Sequence, residues 1–126
     1  MVQEWSPREE IDLQEVLDAL DDESARHIIR TLTEPMTASE LSDACEIPLS
    51  TTYRKLDLLT DAKLLDERTE IRSDGHHTTR YVVDFETVTV ALTDGDVREF
   101  DVRIQRPPKS PDERLASMWE QVRRET

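Results

Sequence analysis

A run of six residues, from position 50 to 55, holds the side chains in this 126-residue chain that are best suited to recognition chemistry. It supplies hydroxyl donors, an aromatic ring and two cations: Ser50, Thr51, Tyr53, Arg54 and Lys55. Donors and cations of this kind bind base edges and phosphate oxygens, and the ring can stack on a neighbour. The run therefore indicates binding to a nucleic acid, provided that the fold presents it on an exposed helix.

The helix before this run is predicted from a capping box and an apolar stripe. Thr37 can cap its N-terminus, and Glu40, three residues later, completes the box. Three apolar residues then recur at helical spacing and predict the buried face: Leu41, Ala44 and Cys45. A proline at position 48 ends this helix, because proline disfavours the helical conformation in the residue before it.

The polar run opens a second predicted helix, near Ser50 to Asp61, with Ser50 expected as its N-cap. Its buried face is predicted to be Leu56, Leu59 and Ala62. Helix, short turn, helix is the geometry of a helix-turn-helix, whose second helix can enter the major groove of DNA. The exposed start of this second helix would carry the polar run to the DNA.

The segment from Thr37 to Leu65 resembles the DNA-reading core of ArsR-like winged helix-turn-helix regulators, of a halophilic archaeal type. The family pattern is typically ELAxxLGLSxSTVSRHLxxLxxAGL, and this chain reads ELSDACEIPLSTTYRKLDLLTDAKL. The resemblance covers roughly residues 22 to 85. It departs from the pattern at Glu46 and Lys63, where the family usually has glycine. Both positions favour a left-handed backbone, which costs a non-glycine residue roughly 1 kcal/mol.

After Leu65 the apolar period changes from 3.6 to 2, and residues 65–85 predict a hairpin that turns at Asp74-Gly75. In the family this hairpin is the wing, whose tip reaches the minor groove or the phosphates. The resemblance adds four candidate DNA contacts on the wing: Arg72, His76, His77 and Arg80. The adjacent histidines could instead belong to a metal site, but such sites need three or four ligands. We predict no metal and no cofactor.

Residues 86–106 predict a second hairpin that minimal winged-helix domains lack. Val88, Val90 and Leu92 alternate on the first strand, residues 93–96 form the turn, and an alternating strand returns from Val97 to Ile104. Three residues of the returning strand share one face: Phe100, Val102 and Ile104. The hairpin could pair with the wing sheet, make a subunit contact or line an effector pocket.

Both ends of the chain add helices to this plan. Two amphipathic scaffold helices are predicted from Ile11, Leu13, Val16, Leu17 and Leu20, and from Ala25, Ile28, Ile29 and Leu32. Asp22 is expected to cap the second of them. Residues 107–126 predict a proline linker and a final amphipathic helix. In the family such a helix usually dimerises, and its apolar face would be Leu115, Met118, Trp119 and Val122; it could instead pack on its own domain.

The fold predicted is α+β: a winged helix-turn-helix, with a three-helix core and a β-wing, over residues 11–85. The added hairpin (86–106) and the linker with the dimerisation helix (107–126) complete the chain. The family's metal sensors often carry paired cysteines before the turn. Here Cys45 stands alone at a usual leucine position, so a small buried residue is favoured over a redox switch.

The net charge of −13 has the wrong sign for a protein that binds a polyanion. The chain holds 16 basic and 29 acidic residues, of which residues 47–80 hold six of each, so the excess acid lies outside the proposed DNA-binding unit. This composition resembles that of proteins from salt-in halophiles, where the Debye length falls to about 3 Å in molar salt. The alternative is an ordinary acidic protein whose partner is not DNA.

These observations favour a sequence-specific, homodimeric regulator that binds a palindromic site in double-stranded DNA. A winged-helix module for protein contacts is the alternative, although its contact face would more often be apolar. An enzyme is not expected, since no Walker, zinc or nucleophile-elbow motif is present. The first ten residues, MVQEWSPREE, do not form a signal peptide, and no apolar run could span a membrane, so a cytoplasmic protein is expected. The operator, the sign of regulation and any small-molecule or protein effector stay open.

Overall fold

The computed structural model describes residues 10–107, which form an α+β winged helix-turn-helix. Four helices come first: α1 (Leu13–Asp21), α2 (Glu23–Thr31), α3 (Ala38–Cys45) and α4 (Leu49–Asp61). Four strands follow: β1 (Leu65–Ile71), β2 (His77–Val83), β3 (Thr87–Leu92) and β4 (Phe100–Gln105). The predicted fold class is confirmed, with α2 to α4 as the three-helix core and α1 as a further helix. The predicted C-terminal helix lies outside the described residues.

Aspartates begin the two scaffold helices. The Asp12 carboxylate accepts a hydrogen bond from the Glu15 N–H at 3.0 Å and caps α1. The Asp22 carboxylate accepts from the Ala25 N–H at 2.8 Å and caps α2, as predicted. Because Asp22 also closes the C-terminus of α1 through its own N–H, the two helices meet at one residue.

The capping box and the left-handed turn of the helix-turn-helix are both confirmed. Glu40 N–H donates to the Thr37 hydroxyl at 3.1 Å, and Thr37 N–H donates to the Glu40 carboxylate at 2.8 Å. At the other end of α3, Glu46 has φ 56° and ψ 45°. The next N–H, that of Ile47, donates to the Ser42 carbonyl at 3.2 Å, which closes the helix in the manner of a Schellman cap.

The core lies between the four helices and the base of the wing. Its buried apolar residues are Val16, Ala19, Ala25, Ile28, Leu32, Ala38, Leu41, Cys45, Leu56, Leu59, Ala62, Leu64, Leu65 and Tyr81. Two predicted core positions were wrong: Ala44 is exposed, and Leu17 is 45% exposed. The buried stripes of α1 and α3 are narrower than the sequence pattern suggested, so these two residues on the flank of the pattern face outward.

The wing is tied to the helices by backbone hydrogen bonds. Strands β1 and β2 pair antiparallel, with Leu65 opposite Val83 and Ile71 opposite His77. Tyr81 exchanges two backbone bonds with Met36 in the loop before α3, at 2.7 and 3.2 Å. These bonds fix β2 against the start of the helix-turn-helix, so the wing and α4 have a defined relative position.

The second hairpin forms a sheet of its own, so of the three roles left open for it, pairing with the wing sheet does not occur within the described residues. Strand β4 begins at Phe100 rather than at Val97, because Thr93 and Glu99 close the intervening loop through bonds of 2.7 and 3.0 Å. Arg106 joins the base of this hairpin to the core by donating to the carbonyls of Lys63 and Asp84. The hairpin is therefore attached at its base, and its tip projects.

Candidate nucleic-acid interface

The recognition helix α4 begins one residue earlier than the sequence suggested. Pro48 is its N-cap residue and makes no side-chain cap, so the prediction of Ser50 as N-cap was wrong. Proline is tolerated at a helix start because the N–H that it lacks would have no intrahelical partner there. The Pro48 carbonyl accepts the N–H of Thr52 at 2.9 Å and its hydroxyl at 3.0 Å. Ser50 lies in the first turn with its side chain exposed, where it is free of any capping role.

One side of α4 is fully buried and the opposite side is polar. Thr52, Leu56 and Leu59 are each 0% exposed and face the other helices. The residues at the opposite angle of a 3.6-residue helix form an exposed row, which we call the outward row: Ser50, Arg54, Asp57 and Asp61. The buried stripe holds the helix in place, so the outward row is presented rigidly.

Tyr53 lies between the outward row and the wing and is 48% exposed. Tyr53 is close enough to Tyr81 on β2 to affect its ionisation. The pKa of Tyr81 is raised mainly by burial and further by the charges of Glu67, Tyr53 and Asp57. The flank of α4 that carries Tyr53 therefore faces β1 and β2. A planar donor at this place can contact DNA where the two elements meet.

Lys55 lies on the other flank and faces the scaffold. Its ammonium group pairs with the Asp22 carboxylate at the junction of α1 and α2, and the two side chains are only 22% and 23% exposed. Burial opposes the charge on Asp22, but hydrogen bonds from Lys55 and from the Ala25 N–H outweigh it and lower the pKa of Asp22. Lys55 was predicted to contact DNA; the structure places it in an internal ion pair. Thr51, on the same flank, is half-buried.

The tip of the wing presents Arg72, His76 and His77, all exposed. The turn is closed by the Arg72 N–H, which donates to the His76 carbonyl at 2.7 Å, and Gly75 supplies the required positive φ of 85°. The His76 ring lies 3.1 Å from the Asp74 carboxylate, and hydrogen bonds from His76 lower the pKa of Asp74. The predicted turn at Asp74-Gly75 is confirmed.

Arg80 is shared between two carboxylates. Its guanidinium lies 3.1 Å from Glu40 at the start of α3 and 3.2 Å from Glu70 on β1, and its side chain is 27% exposed. The pKa of Glu40 is lowered, first by the hydrogen bond from the Thr37 backbone and further by Arg80. Arg80 therefore joins the wing to the helix-turn-helix. The nine predicted DNA contacts thus lie on α4 and on the wing, but two of them, Lys55 and Arg80, are held by carboxylates of the protein itself.

The sequence reading missed the acidic half of the outward row. Asp57 and Asp61 follow Arg54 at spacings of three and seven, which a helical projection from the buried leucines would have shown. A carboxylate on a recognition helix repels phosphate, yet it can accept a hydrogen bond from the amino group of cytosine. Its presence argues for contact with base edges.

The comparison with known families agrees with this geometry. Residues 20–68 match a family model described as a helix-turn-helix domain. The match runs from the end of α1 through α4 to the start of the wing, and it supports a DNA-binding regulator of the winged helix-turn-helix kind. No curated protein matches the chain.

The described residues hold no cluster of histidine, cysteine and carboxylate side chains that could bind a metal ion. In the same part of the chain, no helix is long and apolar enough to cross a membrane. Cys45 is 7% exposed, and its sulfur lies 3.5 Å from the Thr31 hydroxyl.

Proposed function

We propose that the protein is a sequence-specific, DNA-binding transcription regulator that inserts α4 into the major groove. The observation that carries this proposal is the outward row of α4, whose polar side chains oppose a fully buried stripe. A rigid helix with an exposed polar row is the feature that a helix-turn-helix uses to read bases. The family match over residues 20–68 supports the same function.

Each side chain of the interface has a proposed role. Arg54, in the outward row, donates to a guanine, and Asp57, one turn later, accepts from a cytosine. Tyr53 contacts a base between α4 and the wing. Ser50 and Thr51 bind a phosphate at the start of the helix, where the N–H groups also favour an anion.

The wing contributes affinity without sequence preference. Arg72, His76 and His77 at its tip contact the backbone or the flanking minor groove. Arg80 acts by holding the wing at the correct angle, because its two carboxylate partners lie on different elements. Lys55 supports α4 from behind in the same indirect way.

We propose further that the protein acts in the cytoplasm as an ArsR-like homodimer in a halophilic cell. The C-terminal helix, with Leu115, Met118, Trp119 and Val122, would form the dimer. A two-fold dimer places two recognition helices roughly 34 Å apart on a palindromic operator. At molar salt, counterion release adds little to affinity, so base contacts must supply it. The charge of −13 is compatible with DNA binding under those conditions, because repulsion is screened within about 3 Å.

The test is selection of bound fragments from genomic DNA at molar potassium chloride, followed by binding assays on the preferred and a scrambled site. We expect Arg54→Ala to reduce the preference about 5- to 150-fold, which corresponds to the 1–3 kcal/mol of a good base contact. Arg80→Ala should weaken both sites equally. Arg98→Ala removes the same charge from an exposed loop of the second hairpin and should change neither.

An unchanged preference in Arg54→Ala would refute the assignment of base readout while leaving the fold intact. A protein-contact module is the second candidate function, favoured by the acidic charge and by the exposed apolar side chains of the second hairpin. Absence of any enriched fragment at low and at molar salt, from protein shown to be folded, would favour that candidate.

A further inference from the structure

The second hairpin carries an apolar face that is covered at its base and open at its tip. Three cross-strand pairs make this face: Val88 with Ile104, Val90 with Val102, and Leu92 with Phe100. Val88, Val102 and Ile104 pack against the core. Val90 and Leu92 are 46% and 47% exposed, and Phe100 is 68% exposed.

This open face is unusual for an isolated pair of strands. A two-stranded hairpin is marginally stable in water, and it needs a further layer against its apolar side. Val97, in the loop at the tip, is 70% exposed and extends the same apolar region. Within residues 10–107, no element covers these four side chains.

The chain beyond residue 107 has a segment of matching size. Apolar residues at positions 115, 118, 119 and 122 fall at helical spacing and span about 11 Å along a helix. The hairpin face, from Val88 to Leu92, spans about 14 Å. A helix of residues 112–124 would therefore cover the face with its apolar side, and Trp119 would supply most of the contact area.

The charges of the C-terminal segment and of the second hairpin are complementary if the segment runs from the base of the hairpin to its tip. The segment begins with Asp112 and Glu113 and ends with Arg123 and Arg124. The tip loop of the hairpin, residues 93–99, holds three acidic residues against one arginine, whereas Arg103 and Arg106 lie towards its base. A helix that runs from base to tip would place its acidic start near the arginines and its basic end near the acidic loop.

The prolines before this segment bear on whether it docks on its own hairpin or on the hairpin of a partner subunit. Prolines at 107, 108 and 111 favour an extended backbone both for themselves and for the residues before them. An extended connection of five residues, 107–111, would span about 15 Å, and this composition therefore favours docking on a neighbouring copy over a reversal onto the same hairpin. We infer that residues 112–124 of one subunit dock on the apolar face of the second hairpin of its partner, reciprocally in a dimer.

This inference rests on the proposed dimer, and it names the surface that receives the C-terminal helix. The test uses the full chain with Trp5→Phe, so that Trp119 is the single fluorescent tryptophan. Its emission maximum is measured over a dilution series, alongside the mass by light scattering. We expect emission shifted to the blue in the dimer and to the red on dilution, since docking between copies depends on concentration.

Phe100→Asp should give red-shifted emission and a monomeric mass at concentrations where the parent is a dimer. Ile71→Asp is the matched control: it places the same charge at an equally exposed position (74%) on the wing and should leave both readouts unchanged. Because Phe100 and Ile71 are exposed, neither change should unfold the core.

Three outcomes would overturn the inference. Blue-shifted emission that is independent of concentration and lost in Phe100→Asp would mean that the segment docks on its own hairpin. A dimer that survives Phe100→Asp but is lost in Leu115→Asp/Trp119→Asp would keep the dimer proposal and place the receiving surface elsewhere. A dimer that persists in Phe100→Asp and in Leu115→Asp/Trp119→Asp would refute the proposal that the C-terminal helix forms the dimer. Operator binding by the outward row is assayed separately through Arg54→Ala.

Discussion

Asp22 is the residue at which three helices meet, and its replacement should measure how firmly the recognition helix is held. Its N–H closes α1, its carboxylate caps α2, and the same carboxylate pairs with Lys55 on α4. Loss of the carboxylate therefore removes a cap and an ion pair together. The N–H contribution is retained in any substitution other than proline.

The magnitude follows from two separable contributions. Replacing an N-cap aspartate by alanine costs about 1 kcal/mol. The pair with Lys55, whose partners are each about four-fifths covered, adds about 0.5–1 kcal/mol. We expect Asp22→Ala to lower the free energy of unfolding by about 1.5–2 kcal/mol. Asp22→Asn retains the cap, because asparagine is an equally good N-cap, and should lose only the ion pair.

The same carboxylate predicts a pH dependence. Its pKa is lowered in the folded protein from the ordinary value of 3.8. A group with a depressed folded pKa stabilises the fold fully above its unfolded pKa and loses that contribution as pH falls through the folded value. The difference between the parent and Asp22→Asn should therefore be constant near pH 7 and shrink below pH 3.8.

Urea unfolding at pH 7, followed by far-UV circular dichroism, measures these differences. Lys55→Met, alone and combined with Asp22→Asn, completes a double-mutant cycle that isolates the ion pair. Equal losses for Asp22→Asn and Asp22→Ala would show that the cap contributes nothing. A coupling energy of zero in the cycle would show that Lys55 does not support α4 through Asp22.

Two further changes test the two ends of the recognition helix. Lys63 has φ 67°, a left-handed conformation that costs a non-glycine residue roughly 1 kcal/mol. The greater freedom of glycine in the unfolded chain offsets at least about half of this cost, so Lys63→Gly should stabilise the fold by up to about 0.5 kcal/mol in thermal unfolding. Lys63→Ala keeps the strained Cβ, and a gain in that control would contradict the argument. Ser50→Ala should leave stability within about 0.5 kcal/mol, because Ser50 caps nothing, and should weaken binding to the selected DNA site; a fall in stability would restore the capping role.

Much of the fold could be predicted because local chemistry and packing agree. The capping box of Thr37 and Glu40, the cap at Asp22 and the turn at Gly75 all involve residues within four positions of one another. The left-handed turns at Glu46 and Lys63 could be predicted from a family pattern that places glycine there. Features of this kind depend on few distant contacts, so the sequence carries them directly.

The side-chain partners of the interface could not be predicted, because they depend on distant residues. Lys55 finds Asp22 across 33 positions, and Arg80 finds Glu40 across 40. From the sequence alone, both cations were predicted to contact DNA. In the folded protein they pair instead with carboxylates of other elements of the domain. The C-terminal dimerisation prediction lies outside the described residues and stays a prediction.

Under the proposed function, the division of cations between ion pairs within the domain and the exposed surface would let so acidic a protein discriminate among DNA sequences. Lys55 and Arg80 stabilise the positions of α4 and the wing, while Arg54 in the outward row has aspartates as its neighbours at one and two turns. A row of mixed charge gains little from phosphate neutralisation at any salt concentration. It gains much from a matching pattern of donors and acceptors on base edges, since a wrong base leaves a buried charge unpaired. Specificity in this interface should therefore depend on position within the row rather than on net charge.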